Sequence, residues 1–247
     1  MKTIQQTSLI LFILIYFSLP IMSQQIDKTY GKPLVYLKET NPWLMVIGSD
    51  TPTFVIYENG QIIYKKVGNN SVKIYEVKLS KLDLEKTINS LSISDKFYQL
   101  SDNIEATNWE DQPQNIIYLD LHQKKSVNVY GRLENNEARK KTPQEFLTIY
   151  DNIKSYENSN AKERVPPIIE VMFWDYNYAP KSKPWLKNFP DLKSSTTKIH
   201  GDMFSVFLNH SQFEEFKKFY KTLEEKQAVL INGKKMAISY RFPFPNF

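Results

Sequence analysis

Two Asn-Gly pairs, each placed between two runs rich in β-branched and aromatic residues, constrain the fold of this chain more than any other feature. Asparagine and glycine both tolerate the positive φ of a type I′ turn, so each pair predicts a tight hairpin between antiparallel strands. The runs and their turns are residues 53–58 and 61–66 around Asn59-Gly60, and residues 228–231 and 234–241 around Asn232-Gly233. Strands joined in this way predict mostly antiparallel sheets.

Three helices are predicted by capping residues that precede apolar side chains at helical spacing. The starts and their supporting residues are Ser80 with Asp83, Thr142 with Pro143 and Glu145, and Ser211 with Glu214. The third helix extends to about Lys226 and carries an aromatic stripe made of Phe213, Phe216, Phe219 and Tyr220. A stripe of this kind predicts that the helix packs against a sheet.

The hairpins and helices, with further strands at residues 115–121, 126–130 and 169–173, predict an α+β fold. The polar segment 155–164, which ends before Pro166-Pro167, is the expected boundary within the chain. We therefore expect an N-terminal α+β part over residues 24–155 and a C-terminal α+β part over residues 166–247. These parts form either two units or one continuous domain.

Residues 1–23 have the pattern of a secretory signal peptide. Lys2 precedes an apolar run from Leu9 to Met22, which is too short to span a bilayer comfortably, and Ser23 is a suitable small residue for cleavage. An uncleaved membrane anchor is the alternative. The chain has no cysteine, which excludes a lipid-modified N-terminal cysteine. We expect a periplasmic or extracellular protein with no membrane span after cleavage.

The charge pattern argues against a nucleic-acid partner. The formal net charge is +5, and the excess of basic residues lies mainly after residue 160. Lysines and glutamates are mixed there, however, as on the helix that carries Glu214, Glu215, Lys217 and Lys218. Scattered charges of both signs are typical of a solvated surface, and the basic excess favours at most an anionic envelope component.

Motifs for catalysis and for metal binding are missing. His122, His200 and His210 have no metal-site spacing, and neither a nucleophile elbow nor a phosphate-binding loop occurs. The sequence therefore predicts neither a metal nor a cofactor. Four acids near Trp109 are compatible with a carboxylate pair for hydrolysis, with a cation site, or with a solvated loop. They are Asp102, Glu105, Glu110 and Asp111.

The segment from Phe173 to Phe189 holds the predicted binding residues. Alternation along a strand places Trp174, Tyr176 and Tyr178 on one face, and Trp185 follows in a loop. Such aromatic side chains suit sugars or peptides, and the alternative is that they pack in the core. Three nearby lysines would rim the same surface, namely Lys181, Lys183 and Lys187. We expect a non-catalytic envelope or secreted binding or scaffolding protein whose partner is an envelope polysaccharide or peptide. The alternative is a carboxylate-dependent hydrolase of an envelope polymer.

The order of several short segments resembles a family of uncharacterised exported bacterial proteins, many of them lipoproteins. The segments are Pro52 to Gly60, Gln112-Pro113 before the strands 116–121 and 127–130, Pro166-Pro167, Pro184-Trp185 with Pro190, and the ending from Ala237 to Pro243. The resemblance covers roughly residues 45–245 and implies export but no activity, so it supplies no catalytic residue. This chain differs from the lipoprotein members because it has no anchoring cysteine.

Overall fold

A computed structural model describes residues 27–46, 48–67 and 72–247. The predicted signal peptide lies outside these residues. Within them, two mostly antiparallel sheets and five helices form an α+β fold, so the predicted fold class is confirmed. No helix in this part of the chain combines the length and the apolar character needed to cross a bilayer.

Eight strands form the first sheet. They are β1 (Pro33–Glu39), β2 (Phe54–Tyr57), β3 (Gln61–Val67), β4 (Val72–Lys78), β5 (Asn103–Glu105), β6 (Gln114–Asp120), β7 (Lys124–Tyr130) and β8 (Lys162–Glu163). Their order in the sheet is β5-β7-β6-β1-β2-β3-β4-β8. Only the β5–β7 pair is parallel, because β5 reaches β7 through a connection longer than a hairpin.

Six strands form the second sheet. They are β9 (Ile168–Asp175), β10 (Lys181–Pro184), β11 (Lys198–His200), β12 (Met203–Asn209), β13 (Gln227–Ile231) and β14 (Lys234–Arg241). Their order is β10-β13-β14-β9-β12-β11, and only β10 and β13 run parallel. Strand β1 was not predicted from the sequence, because no hairpin turn marks it.

The helices pack on one face of each sheet. They are α1 (Lys81–Ser90), α2 (Asp95–Tyr98), α3 (Asn136–Lys141), α4 (Gln144–Lys154) and α5 (Phe213–Lys221). The side chain of Ser80 caps α1 as predicted, because its oxygen accepts from the Asp83 N–H at 3.2 Å. Thr142 does not cap α4, which corrects the prediction. Its hydroxyl donates to the Ala138 carbonyl at the end of α3, and Pro143 occupies the cap position.

Helix α5 is shorter than predicted and begins differently. A single 3₁₀ turn (His210–Gln212) precedes it, and the capping box uses Asn209 and Gln212 instead of Ser211 and Glu214. The aromatic stripe does face the second sheet as predicted. Phe216 is fully buried and Phe219 nearly so, in one core with strand residues such as Val171.

The two Asn-Gly turns differ. Asn232 and Gly233 both have positive φ, and Ile231 pairs directly with Lys234, which fits the predicted type I′ turn. At the first turn only Gly60 has positive φ, and the Gly60 N–H donates to the Tyr57 carbonyl at 2.9 Å. The type I′ prediction is therefore wrong there. Glu58, Asn59 and Gly60 form a three-residue loop that ends on a left-handed glycine.

The β1–β2 connection and the segment after β14 both link the two sheets. The Val46 N–H donates to the Ser239 hydroxyl at 3.2 Å, which links the β1–β2 connection to β14. After β14 the chain returns to the first sheet, where Phe244 is buried beside Val55, Tyr57 and Ile63. The chain passes from the first sheet to the second between β8 and β9, and β8 extends the first sheet beyond residue 155.

Candidate functional site

Trp185, one of the four predicted binding residues, packs against the core of the second sheet. Its ring centre lies 5.1 Å from that of Phe173, 5.6 Å from Phe219 and 6.1 Å from Phe216. Its indole N–H donates to the Pro190 carbonyl at 2.8 Å. The polar edge of the indole is thus satisfied inside the protein, as is usual for a packed tryptophan.

The other three predicted residues lie on the opposite side of the same sheet, because Trp174 alternates with the core residue Phe173. Trp174 is half-buried, and Tyr176 is buried against small residues that include Ala228 and Ala237. Tyr178 alone is largely exposed, with its ring edge-on to Tyr176 at 4.8 Å. The sheet therefore separates Trp185 from the remaining three.

Lys181 and Lys183 do not rim this surface, which corrects the prediction. Lys181 pairs with Glu224 at 2.8 Å. Lys183 donates to the Thr222 hydroxyl, with its ammonium 5.8 Å from the centre of the Phe219 ring. Both lysines therefore contact residues that follow α5, on the face of the sheet that packs against this helix.

The four acids near Trp109 do not form one centre. Asp102 pairs with Lys125 at 2.7 Å and lines a cleft on the far side of β5. Glu105 is an exposed side chain of β5, and Glu110 and Asp111 are exposed in the loop that follows. Among the described residues, no group of three or more histidine or acidic side chains is arranged to hold a metal ion.

The topology of the first sheet instead brings three chain segments to one end. Strand β6 runs antiparallel to both β1 and β7, so the start of β6 lies beside the ends of the other two strands. The segment after β1 carries Trp43, the loop before β6 carries Trp109, and Arg132 follows β7 directly. Trp43 is 69% exposed and Trp109 is 73% exposed.

Two adjoining concavities lie between these segments, and Arg132 lines both of them. We call them together the tryptophan cleft. The Trp109 half has a cavity volume of about 420 Å³ and includes Gln112, Asn135 and Lys141. The Trp43 half has a cavity volume of about 450 Å³ and includes Glu39, Asn41 and Glu134.

Backbone hydrogen bonds fix the Trp43 turn. The Asn41 side-chain oxygen accepts from the Trp43 N–H at 3.0 Å, which is the local bond that asparagine favours in turns. Thr40 and Gln114 exchange two hydrogen bonds, one through the Thr40 hydroxyl and one through the Gln114 carbonyl. The turn is thereby attached to the first residue of β6.

Tyr130 fixes the loop that carries Trp109. The Tyr130 hydroxyl donates to the Trp109 carbonyl at 3.0 Å and accepts from the Gln112 N–H at 3.1 Å. The Thr107 hydroxyl also accepts from the Trp109 N–H at 3.2 Å. Because these bonds use the backbone of Trp109, its indole ring is left exposed beside the cleft.

Small residues form the floor of the Trp109 half. Ala106 and Ala138 are buried, and Gly131 lies between them with a φ of 141°. A Cβ at Gly131 would lie 3.4 Å from the Ala106 methyl group and 3.5 Å from that of Ala138. Glycine is therefore required by the backbone conformation, and the small floor leaves room beside the indole of Trp109.

Some of the charged side chains that line the cleft form ion pairs, and others do not. Glu39 pairs with Lys154 at 2.9 Å and accepts from the Tyr150 hydroxyl at 2.8 Å. Burial, reinforced by Glu39, raises the pKa of Tyr150. Within the part of the chain that the structure describes, the side chains of Arg132 and Lys141 make neither an ion pair nor a hydrogen bond.

The sequence patterns did not indicate this cleft. Trp109 was interpreted only as the centre of an acidic loop, and Trp43 and Arg132 belonged to no recognised motif. Each of these residues lies just beyond the end of a strand, and that position was the signal in the sequence that could have indicated the cleft. Loop residues beside a rigid sheet carry function disproportionately often.

Comparison with known proteins adds no assignment: no family model, no curated protein and no solved structure matches this chain.

Proposed function

We propose that this protein is an exported, non-catalytic binding protein that holds an envelope or extracellular polysaccharide at the tryptophan cleft. One observation carries the proposal. Two largely exposed indoles, Trp43 and Trp109, flank the Arg132 side chain at a concave end of the first sheet. Large exposed aromatic side chains grouped around a concavity are typical of ligand-binding surfaces.

The chemistry of the cleft suits a sugar. An indole presents a flat apolar face to the C–H groups of a sugar ring and excludes water from it. Asn41, Gln112 and Arg132 supply the amide and guanidinium groups that hydrogen-bond to hydroxyls. Because hydrogen bonds fix the backbone of both tryptophan loops, little conformational entropy is lost when a ligand binds.

The proposal does not extend to hydrolysis. Glycosidases need two carboxyl groups on opposite sides of the scissile bond, one to protonate and one to attack or to activate water. In the tryptophan cleft, Glu39 is held by Lys154, and Glu137 pairs with Lys140 at 2.7 Å. Glu134 is the remaining acid, so a facing pair of uncommitted carboxylates is missing among the residues that line the two halves.

Binding is tested with the purified protein on an array of bacterial and plant polysaccharides. We expect the wild-type protein to bind at least one polysaccharide. The double variant Trp43→Ala/Trp109→Ala should lose at least tenfold in affinity, since truncation of a tryptophan anchor in a protein interface typically costs about 2 kcal/mol or more. Tyr178→Ala is the matched control, because it removes an exposed ring from the second sheet.

Two results would overturn the binding proposal. One is the absence of binding to every polysaccharide on the array. The other is a loss of affinity in Tyr178→Ala with unchanged affinity in the double variant, which would move the site to the surface around Trp174, Tyr176 and Tyr178.

Export rests on the pattern of residues 1–23 and has its own test. Mass spectrometry of the protein recovered from the periplasm or from the culture medium should give a chain that begins near Gln24. Full-length protein fixed in the membrane fraction would support the alternative of an uncleaved anchor.

A further inference from the structure

The two halves of the tryptophan cleft differ in charge. In the Trp109 half, Glu137 is neutralised by Lys140, whereas Arg132 and Lys141 have no partner among the described residues. In the Trp43 half, Glu134 and Arg132 line the same concavity, and no further cation among the described residues lines its wall. The Trp109 half therefore carries the larger excess of positive charge, because Arg132 lines both halves whereas Lys141 lines the Trp109 half alone.

Two kinds of group meet in the Trp109 half. The indole of Trp109 and the methyl groups of Ala106 and Ala138 supply an apolar surface. The guanidinium of Arg132 and the ammonium of Lys141 supply donors to an anion, and a guanidinium binds a carboxylate through two parallel hydrogen bonds. A ligand that satisfies both needs a ring with an apolar face of C–H groups and a carboxylate attached to it.

Other charges near the cleft do not cancel this preference. Glu110 and Asp111 lie on the Trp109 loop, but both are exposed and neither lines the concavity. The Glu110 carbonyl, rather than its carboxylate, accepts from the Gln112 amide at 3.2 Å. The two carboxylates therefore stand outside the set of groups that a ligand in this half would contact.

We infer that the Trp109 half of the cleft binds a uronate unit of an acidic polysaccharide, with its ring on Trp109 and its carboxylate on Arg132 and Lys141. This inference rests on the proposed function, since it names the class of sugar that the same cleft takes. The Trp43 half then receives a neighbouring unit of the same polymer, where Asn41 and Glu134 are available to its hydroxyls.

The test compares each acidic oligosaccharide with its own carboxyl-reduced form, in which a primary alcohol replaces the carboxylate. Oligomers of galacturonate, glucuronate and mannuronate are titrated calorimetrically into the purified protein. We expect at least one acidic oligomer to bind ten or more times tighter than its reduced form. That ratio should fall as salt rises, because the contact is between exposed charges.

Three variants locate the effect. Arg132→Gln and Lys141→Gln should each lower the preference for the acidic form several-fold and leave the affinity for the reduced form nearly unchanged. Lys81→Gln, which removes an exposed lysine of α1 that lines neither half of the cleft, should keep the preference. Thermal melting of each variant shows whether its fold is intact, and all three positions are exposed.

The possible failures are distinguishable. Equal binding of the acidic and reduced forms would overturn the inference and keep the proposed saccharide binding. The absence of binding to both forms and to every array polysaccharide would overturn both. Binding of polyglutamate with the same affinity and the same dependence on Arg132 and Lys141 would overturn the inference in favour of an acidic peptide.

Discussion

Beside the second sheet, the ring centre of Trp185 lies within 6.1 Å of those of four phenylalanines, and its indole N–H donates to Pro190. Beside the first sheet, Trp43 and Trp109 are 69% and 73% exposed. The two regions also differ in how the tryptophans are held. The indole of Trp185 is fixed through its own N–H. Trp43 and Trp109 are fixed through their backbones, which leaves both rings free to contact a ligand.

The difference teaches that the neighbours of an aromatic residue indicate its role better than its own identity. Trp185 faces the apolar stripe of α5, and removing such a ring would open a cavity in the core. Trp109 is surrounded by amide, guanidinium and ammonium groups above a floor of small residues. Its removal would leave the loop attached to Tyr130 and would change the surface alone.

The largest expected effect is on the stability of the second sheet. Trp185→Ala should lower the free energy of unfolding by about 3 kcal/mol, the lower end of the range for buried tryptophan and phenylalanine, because its ring is only partly buried. Urea denaturation followed by circular dichroism measures the change. A loss below about 0.5 kcal/mol, typical of a surface position, would contradict the placement of Trp185 in the core.

The two hairpins should respond differently to the same substitution. Gly60→Ala should lower the free energy of unfolding more than Gly233→Ala does, and the difference between the two losses should be about 1 kcal/mol or more. Both glycines have positive φ, but a Cβ at Gly60 would lie 2.8 Å from the Leu79 carbonyl oxygen, whereas the space around Gly233 is open. Equal losses of stability in the two variants, measured by thermal denaturation, would contradict this prediction. They would mean that the Leu79 carbonyl moves away from the new Cβ without a cost in free energy.

A pH dependence is expected where the C-terminal segment crosses the first sheet. The Lys65 ammonium donates to the Thr51 hydroxyl at 2.5 Å and lies 5.8 Å from the ring centre of Phe244. Burial lowers its pKa to about 8, although Asp50 and Glu39 oppose the shift, and Lys38 and Arg241 add to it.

The sign follows from proton binding. Between pH 8 and about 10.5 the unfolded chain holds a proton on Lys65 that the folded chain has released, so the Lys65 contribution to stability rises with pH in this window. Below about pH 8 both states are protonated and that contribution is constant. Denaturation of the wild-type protein and of Lys65→Met across pH 7–10 should show that the variant lacks this rise. Parallel pH profiles would contradict the shifted pKa.

The smallest effect on stability is expected in the tryptophan cleft. Trp43→Ala and Trp109→Ala should each change the free energy of unfolding by less than about 0.5 kcal/mol, because both rings are mostly exposed. Differential scanning calorimetry of the two variants beside Trp185→Ala gives the comparison within one protein. A loss of 2 kcal/mol at Trp109 would show that its ring packs against the fold.

The hairpins, the α+β class and the aromatic face of α5 could be predicted because local patterns determine them. Turn residues, caps and apolar spacing act over a few positions, and here they agree with the tertiary structure. The predictions failed where a contact outside these patterns, near or distant in the chain, decided the local geometry. Thr142 bonds back to Ala138, and Gly60 lies against Leu79, contacts that the local sequence signals do not specify.

The candidate site could not be predicted for a related reason. Trp43, Trp109 and Arg132 are far apart in the chain, and they meet because β1 and β7 both pair with β6. Strand β1 carries no hairpin turn at its end, so the sequence did not reveal that pairing. Trp174 and Trp185 are close in sequence and suggested one surface, yet the sheet places them on opposite faces.

The most direct test uses the four indole N–H signals of the protein in a ¹⁵N–¹H correlation spectrum, one for each tryptophan. Trp→Phe variants assign the signals, and the polysaccharide that binds most tightly on the array is then titrated in. The tryptophan cleft predicts that the Trp43 and Trp109 signals shift on binding while the Trp185 signal and that of the half-buried Trp174 stay in place. A shift of the Trp174 signal alone, or of none of the four, would contradict the account.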